Sequence, residues 1–235
     1  EKLISRAQEY AVYRAIAPLK ISETVHYFDP VTGIKIASYL TDAHVCNSGN
    51  WDEVAKCVAA LRELHSNRLH VAHSFDLWER LDFYESLWEG ESSIYADYDK
   101  TKRAVLSLKR FIDEQPKSLQ LCHIDAVPDN FLFVHDADGA EQIRLIDWEY
   151  AGDGDVALEL AAVWTESEAA RQMLIRDYAR VAHIDPDALR RQVKRWRPWV
   201  VMLMAGWFEM RYRQSRDKQF IALADDAWRQ LQTKG

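Results

Sequence analysis

The sequence predicts an α+β fold in which a short strand-bearing segment is followed by a mainly helical remainder that carries one further β-hairpin. Three observations lead there. VHYFDPVTGIKIASYL alternates apolar and polar residues on either side of Asp-Pro and Gly, the pattern of two strands joined by a turn. From Trp51 onward most of the chain repeats apolar residues at helical spacing. Within that helical part, FLFV and IRLI bracket Asp136, Ala137, Asp138 and Gly139, a second hairpin signal.

The elements follow in order. Residues 3–16 place Leu3, Ala7, Tyr10, Ala11, Tyr13 and Ile16 near helical spacing, and the pattern fades before Pro18. A strand is expected over Val25 to Phe28, a turn at Asp29, Pro30 and Gly33, and a strand over Ile34 to Leu40. The polar stretch Thr41 to Asn50 reads as a crossing between two lobes. WDEVAKCVAALRELHSNRL then carries Val54, Val58, Leu61, Leu64 and His65 on one side of a helix. Two more helical stretches, SFDLWERLDFYESLWEG and DKTKRAVLSLKRFIDEQ, precede the second hairpin. Helical stretches around Val156 to Ala182, Pro186 to Arg213 and Gln219 to Leu231 complete the chain.

With 235 residues and 48% hydrophobic content, the chain can bury a sizeable core. The net charge of −7 argues against a general nucleic-acid binder, and the basic run Arg190, Arg191, Lys194, Arg195 and Arg197 reads as a solvated helix face. Cys46, Cys57 and Cys122 are odd in number and lack Cys-x-x-Cys spacing, which indicates neither a disulfide framework nor a zinc site and suits a cytoplasmic setting. Trp199 to Phe208 is the longest uncharged apolar stretch, about half of the roughly 20 residues a membrane span requires, so a buried helix is expected and no membrane partner. No secretory signal pattern is visible, and the start at Glu1 without Met suggests that residues upstream belong to the natural protein.

The chemistry concentrates in LCHIDAVPDNFLF and IRLIDWEYAG. The first holds His123, Asp125 and Asn130, and the second places Asp147 after an apolar strand. This is the layout of a kinase-type phosphoryl-transfer site. A carboxylate at Asp125 can accept the proton of an attacking hydroxyl, while the amide oxygen of Asn130 and the carboxylate of Asp147 are hard ligands for Mg²⁺. The hairpin between them would return Asn130 and Asp147 to one place. His123 reads equally as a hydrogen-bonded structural residue, and Asp129 as a surface turn residue.

HIDAVPDNFLF followed by LIDWEYAG resembles the choline kinase branch of the protein-kinase-like superfamily, and is similar to the wider aminoglycoside phosphotransferase group. YFDPVTGIKIASYL looks like the hairpin that leads to the adenine-binding hinge of bacterial choline kinases, and Trp148 with Glu149 after Asp147 favours this branch over protein kinases. The resemblance implies a two-lobed kinase-like fold, with residues 1–40 a remnant of the nucleotide-binding lobe and 41–235 the catalytic and substrate-binding lobe. It implies ATP as co-substrate, Mg²⁺ as cofactor and choline as acceptor. Ethanolamine, an aminoglycoside, or a non-catalytic ammonium-binding role stand as alternatives.

Carried over by residue, the resemblance makes Asp125 the base, Asn130 and Asp147 the Mg²⁺ ligands, and Glu9 the partner of a nucleotide-binding lysine. Ser38, Tyr39 and Leu40 would offer backbone hydrogen bonds to adenine. The family's glycine-containing phosphate loop and lysine strand would precede residue 1, and Lys2 and Lys20 do not substitute for them. A quaternary ammonium has no N–H to donate, so its pocket needs aromatic faces and a carboxylate. Glu166, Trp164 and Trp207 are the residues that the resemblance offers for it, among nine tryptophans of which core packing also claims a share.

Overall fold

The structure is a computed structural model that describes residues 4–136, 138–163 and 168–232. Contacts divide the chain into two compact units, Glu1–Phe75 with Lys117–Arg191, and Asp76–Pro116 with Gln192–Gly235. Residues 1–40 fall in the first unit together with the second hairpin and the chain that follows it to Arg191.

The first unit opens with α1, Arg6–Ile16, whose N-terminus is capped by the Ser5 hydroxyl accepting from the Gln8 N–H. Its buried side holds Glu9, Val12, Tyr13 and Ile16. β1 (Val25–Phe28) and β2 (Lys35–Ala37) pair antiparallel. The Asp29 carboxylate closes their turn by accepting from the Val31 N–H and the Thr32 hydroxyl. Gly33 there has φ +76, a left-handed conformation that favours glycine, and the Arg6 side chain passes 2.8 Å from where a Cβ would stand. The expected strand Ile34 to Leu40 is shorter, because regular pairing ends at Ala37 and only the Ser38 N–H reaches on, to the Thr24 carbonyl.

The polar segment Thr41 to Asn50 is more than a crossing. It contains β3, His44–Val45, which pairs with β5, Phe131–His135, and β5 pairs in turn with β6, Glu141–Leu145. α2, Trp51–Ser66, is capped by Asn50 and buries Val54, Cys57, Val58, Leu61, Leu64 and His65, the face its periodicity predicts. β4 (Leu119–Cys122) and β7 (Gly152–Asp155) form a further antiparallel pair that the sequence did not suggest. Gly-Asp-Gly-Asp lacks strand-forming side chains, yet a Cβ at Gly152 would sit 3.1 Å from the Phe75 nitrogen and 3.2 Å from the Ser74 carbonyl carbon. The Asp153 carboxylate accepts from the Val71 N–H (2.8 Å) and lies 2.7 Å from His70 Nδ1, which ties the strand to residues 70–74. The helical stretch expected over Val156 to Ala182 is two helices, α6 (Val156–Ala162) and α7 (Glu168–Ala182).

The second unit is helical. It contains α3 (Leu77–Ser86), α4 (Tyr98–Ser107), α5 (Lys109–Asp113), α8 (Pro186–Ser215) from Gln192 onward, and α9 (Lys218–Gln232). The stretch DKTKRAVLSLKRFIDEQ thus breaks into α4 and α5. Glu209 of α8 is 1% exposed and anchors the loop before α4, accepting from the Ser93 hydroxyl, the Ile94 N–H and the Arg213 guanidinium. Trp228 of α9 stacks on Tyr95 with centroids 4.4 Å apart. Residues 199–208 lie within α8, and among the described residues no helix is long and apolar enough to cross a membrane. Of the basic run on α8, Arg190, Arg191 and Lys194 are exposed.

Gly152→Ala should destabilise the protein by about 1–3 kcal/mol, because the atoms it meets are backbone rather than a flexible side chain. Urea denaturation of the variant beside the parent measures this.

Candidate active site

The pairing of Phe131 with Leu145 brings Asn130 and Ile146 level just beyond the paired strands, with Asp147 next. Ile146 is held from both sides by the first phrase. Its N–H donates to the Asn130 carbonyl (3.0 Å), and its carbonyl accepts from His123 Nε2 (2.8 Å). His123 is fully buried, edge-on to Trp148 with centroids 4.6 Å apart, and Trp148 donates from Nε1 to the Leu145 carbonyl. His123 therefore joins the two phrases structurally. Asp147 leaves this clamp with φ +65, a left-handed residue that leads into a 3-10 turn over Trp148–Tyr150.

Asn130 is 8% exposed and donates from Nδ2 to the Asp125 carbonyl (2.8 Å) and to Asp125 Oδ2 (3.2 Å). That use of Nδ2 leaves Oδ1 as its ligand atom. The Asp147 carboxylate is exposed. An amide oxygen and a carboxylate form a hard donor set that fits Mg²⁺. Burial pushes the Asp125 carboxyl above the usual carboxylate range, and the charge of Asp147 adds to this against the pull of His123 and Asn130. Such a carboxyl holds a proton more readily than a solvated one, as a base that must accept one requires. Asp129 is an exposed residue of the 3-10 turn Pro128–Asn130.

Glu9, 5% exposed, meets Arg6 NH1 at 2.6 Å, and Arg6 also reaches Glu149 Oε2 at 3.4 Å. Lys35 Nζ lies 4.0 Å from Glu9 while binding Glu23 (2.8 Å) and the Tyr13 hydroxyl (2.6 Å). Burial and the Asp147 charge raise the Glu149 carboxyl, against Arg6. Arg6 and Lys35 were not anticipated as partners of Glu9, although Arg6 stands three residues before it on one helix face. Ser38 is half-buried with its hydroxyl 2.7 Å from His26 Nε2, while Tyr39 is 89% exposed.

Trp164 and Glu166 lie outside the described residues. Trp207 belongs to the second unit, edge-on to Phe208 and Phe220, with the Arg211 guanidinium 5.8 Å from its ring centre.

Sequence reasoning missed Glu159. It is entirely buried on α6, and its Oε1 accepts from the backbone N–H groups of His123 (2.7 Å) and Ile124 (2.9 Å). Burial alone would raise this carboxyl, but the His65 hydrogen bond and the neighbouring donors outweigh it and hold it below the usual range. A depressed folded-state value means that its stabilisation is complete above the ordinary carboxylate range and is lost as pH falls through that depressed value. Parent stability should therefore decline between about pH 6 and about pH 3 more steeply than that of Glu159→Gln, measured by urea denaturation across that range.

A family model described as choline/ethanolamine kinase matches residues 2–182. Thiamine kinase of Escherichia coli strain K12 is 52% identical over 132 residues, covering 56% of this chain and 46% of that protein. The chain thus spans about half the length of that relative. Choline kinase LicA from Streptococcus pneumoniae superposes with a TM-score of 0.80 at 24% identity, over 99% of this chain and 82% of that one. A choline/ethanolamine kinase family protein from Mesorhizobium loti gives 0.80 at 24% identity, over 98% and 78%. The fold is that of these kinases.

Proposed function

This chain belongs to the choline/ethanolamine kinase family, and from that we propose that its protein transfers the γ-phosphate of ATP to the primary hydroxyl of a small cationic alcohol, thiamine above all. The observation that carries thiamine over choline is the 52% identity with Escherichia coli thiamine kinase, against 24% for the choline kinase structures. The two acceptors share the features this chemistry needs. Each has a permanently cationic nitrogen and a hydroxyethyl arm, and neither nitrogen has an N–H to donate. Choline is the second reading, favoured by the family description and by the likeness of fold.

In this reading Asp125 orients the acceptor hydroxyl and takes its proton as the oxygen attacks phosphorus. Asn130 Oδ1 and the Asp147 carboxylate would hold Mg²⁺, which when bound offsets charge on the phosphates. His123, through Ile146, keeps the two ligands in register. Glu9, which pairs with Arg6, is the proposed partner of a nucleotide-binding cation as well, and with the Ser38 N–H donated to Thr24 the backbone groups proposed to meet adenine are those of Tyr39 and Leu40. Glu166, Trp164 and Trp207 remain the residues proposed for the acceptor's cation. ATP as donor and three free cysteines go with a cytoplasmic setting.

Steady-state assays of the full-length protein with ATP and Mg²⁺ should give the highest kcat/KM with thiamine, ahead of choline, ethanolamine and an aminoglycoside. Higher kcat/KM with choline would replace the first reading by the second, and turnover of none would remove both. Asp125→Ala should lower kcat by about 10²–10⁴-fold with little change in the KM for ATP.

A further inference from the structure

Glu9 divides its two oxygens unequally. Oε2 meets Arg6 NH1 at 2.6 Å, from three residues back on α1, whereas Oε1 accepts no hydrogen bond among the described residues. Lys35 Nζ stands 4.0 Å from Oε1, beyond hydrogen-bond reach, and is engaged by Glu23 and the Tyr13 hydroxyl. A side chain only 5% exposed thus keeps one carboxylate oxygen without a donor.

Arg6 is itself placed from two sides. Its NH1 also lies 3.4 Å from Glu149 Oε2, and its stem passes 2.8 Å from where a Cβ of Gly33 would stand, so the β1–β2 turn lies against it. The Glu9 hydrogen bond raises the Arg6 guanidinium, burial works against it, and Glu149 adds to the rise. The charge that joins the two acids is secure.

Of the two acids, Glu149 is the anchored one. It belongs to the 3-10 turn Trp148–Tyr150, whose first residue is fully buried and donates from Nε1 to the Leu145 carbonyl. The Ala151 N–H closes that turn on the Trp148 carbonyl. The start of α1 has less to hold it, since Arg6 is the first helical residue and the Ser5 cap bond is 3.4 Å long. One guanidinium therefore straps the beginning of a helix to a braced turn.

We propose that Arg6 is a positioning residue for Glu9: anchored on Glu149, it holds Glu9 Oε2 and so presents Oε1 to the nucleotide-binding cation. The role rests on the phosphotransfer reading above and concerns the nucleotide rather than the acceptor. Without the guanidinium, Glu9 turns toward Lys35, the cation that remains beside it, and Oε1 is no longer offered. Two plainer accounts predict otherwise. A purely electrostatic Arg6 would make loss of the Glu149 charge tighten nucleotide binding, because one repelling acid is gone. An Arg6 that touched the phosphates would matter equally with or without Glu149.

The test measures ADP affinity by calorimetry, with and without Mg²⁺, and steady-state kinetics in the full-length protein. It compares Arg6→Gln, Arg6→Lys, Glu149→Gln and the double variant Arg6→Gln with Glu149→Gln; the Arg6 side chain is 40% exposed, so its replacement leaves the core intact. Arg6→Gln should weaken ADP binding about 3–10-fold and raise the KM for ATP alike, with the KM for the acceptor nearly unchanged. Glu149→Gln should also weaken ADP binding, without Mg²⁺ as well as with it, and the double variant should be no weaker than Arg6→Gln alone. Arg6→Lys should recover part of the loss. Unchanged ADP affinity in Arg6→Gln, no recovery in Arg6→Lys, tighter ADP binding in Glu149→Gln, losses that multiply in the double variant, or an equal rise in the acceptor KM would overturn the proposal. A parent protein that binds no ADP would sink the phosphotransfer reading instead. Hydrogen exchange along α1, which should quicken alike in Arg6→Gln and Glu149→Gln, would still report whether the strap holds the helix.

Discussion

A carboxylate sealed away from water must be met by donors on both oxygens, and around Glu159 that requirement organises the first unit. It draws α2 and α7 toward α6 and fixes the backbone on which the residues of the candidate site are strung. The hairpin completes what the carboxylate begins. Ile146, gripped at its N–H by the Asn130 carbonyl and at its carbonyl by the His123 imidazole, brings the Asp147 end of the chain to the Asp125 end. Of the three candidate side chains, Asn130 and Asp125 are joined by one hydrogen bond and Asp147 is exposed.

The electrostatics of the site follow from that crowding. Asp125, Asp147 and Glu149 stand close enough that Asp147 raises both of the others, and Glu9 adds a fourth negative charge beside Glu149. Arg6 meets Glu9 and reaches Glu149, and Lys35 lies beside Glu9. A site with this surplus is arranged for cations, whether a divalent metal or an acceptor with a fixed positive charge. In the proposed reading choline and thiamine bring a fixed positive charge and ethanolamine a protonated amine, so one catalytic layout can serve acceptors that differ at that end.

Local pattern made much of this legible. The α2 face is visible because its apolar residues recur with the helical period, and the second hairpin because Asp and Gly interrupt two apolar runs. Asp125, Asn130 and Asp147 stand out because the proposed phosphotransfer needs those residue types at those offsets. Three features were not legible, each for a physical reason. β7 is written in glycine and aspartate, since close approach of residues 74–75 and the capture of residues 70–71 matter more there than strand propensity. β3 is two residues long and exists through its partner. Glu159 and His65 meet across 94 residues of chain, and no periodicity in either helix announces the other.

Trp207 leaves a consequence for affinity. The guanidinium of Arg211, one helical turn along, already lies near the face of its indole and of Phe220. An arriving cation that used this ring would exchange one positive neighbour for another, so its gain would be the difference between two cation–π contacts rather than a whole one. Selectivity there would hinge on how readily each guest lets the arginine swing into solvent. A flat thiazolium and a compact trimethylammonium place very different demands on that displacement.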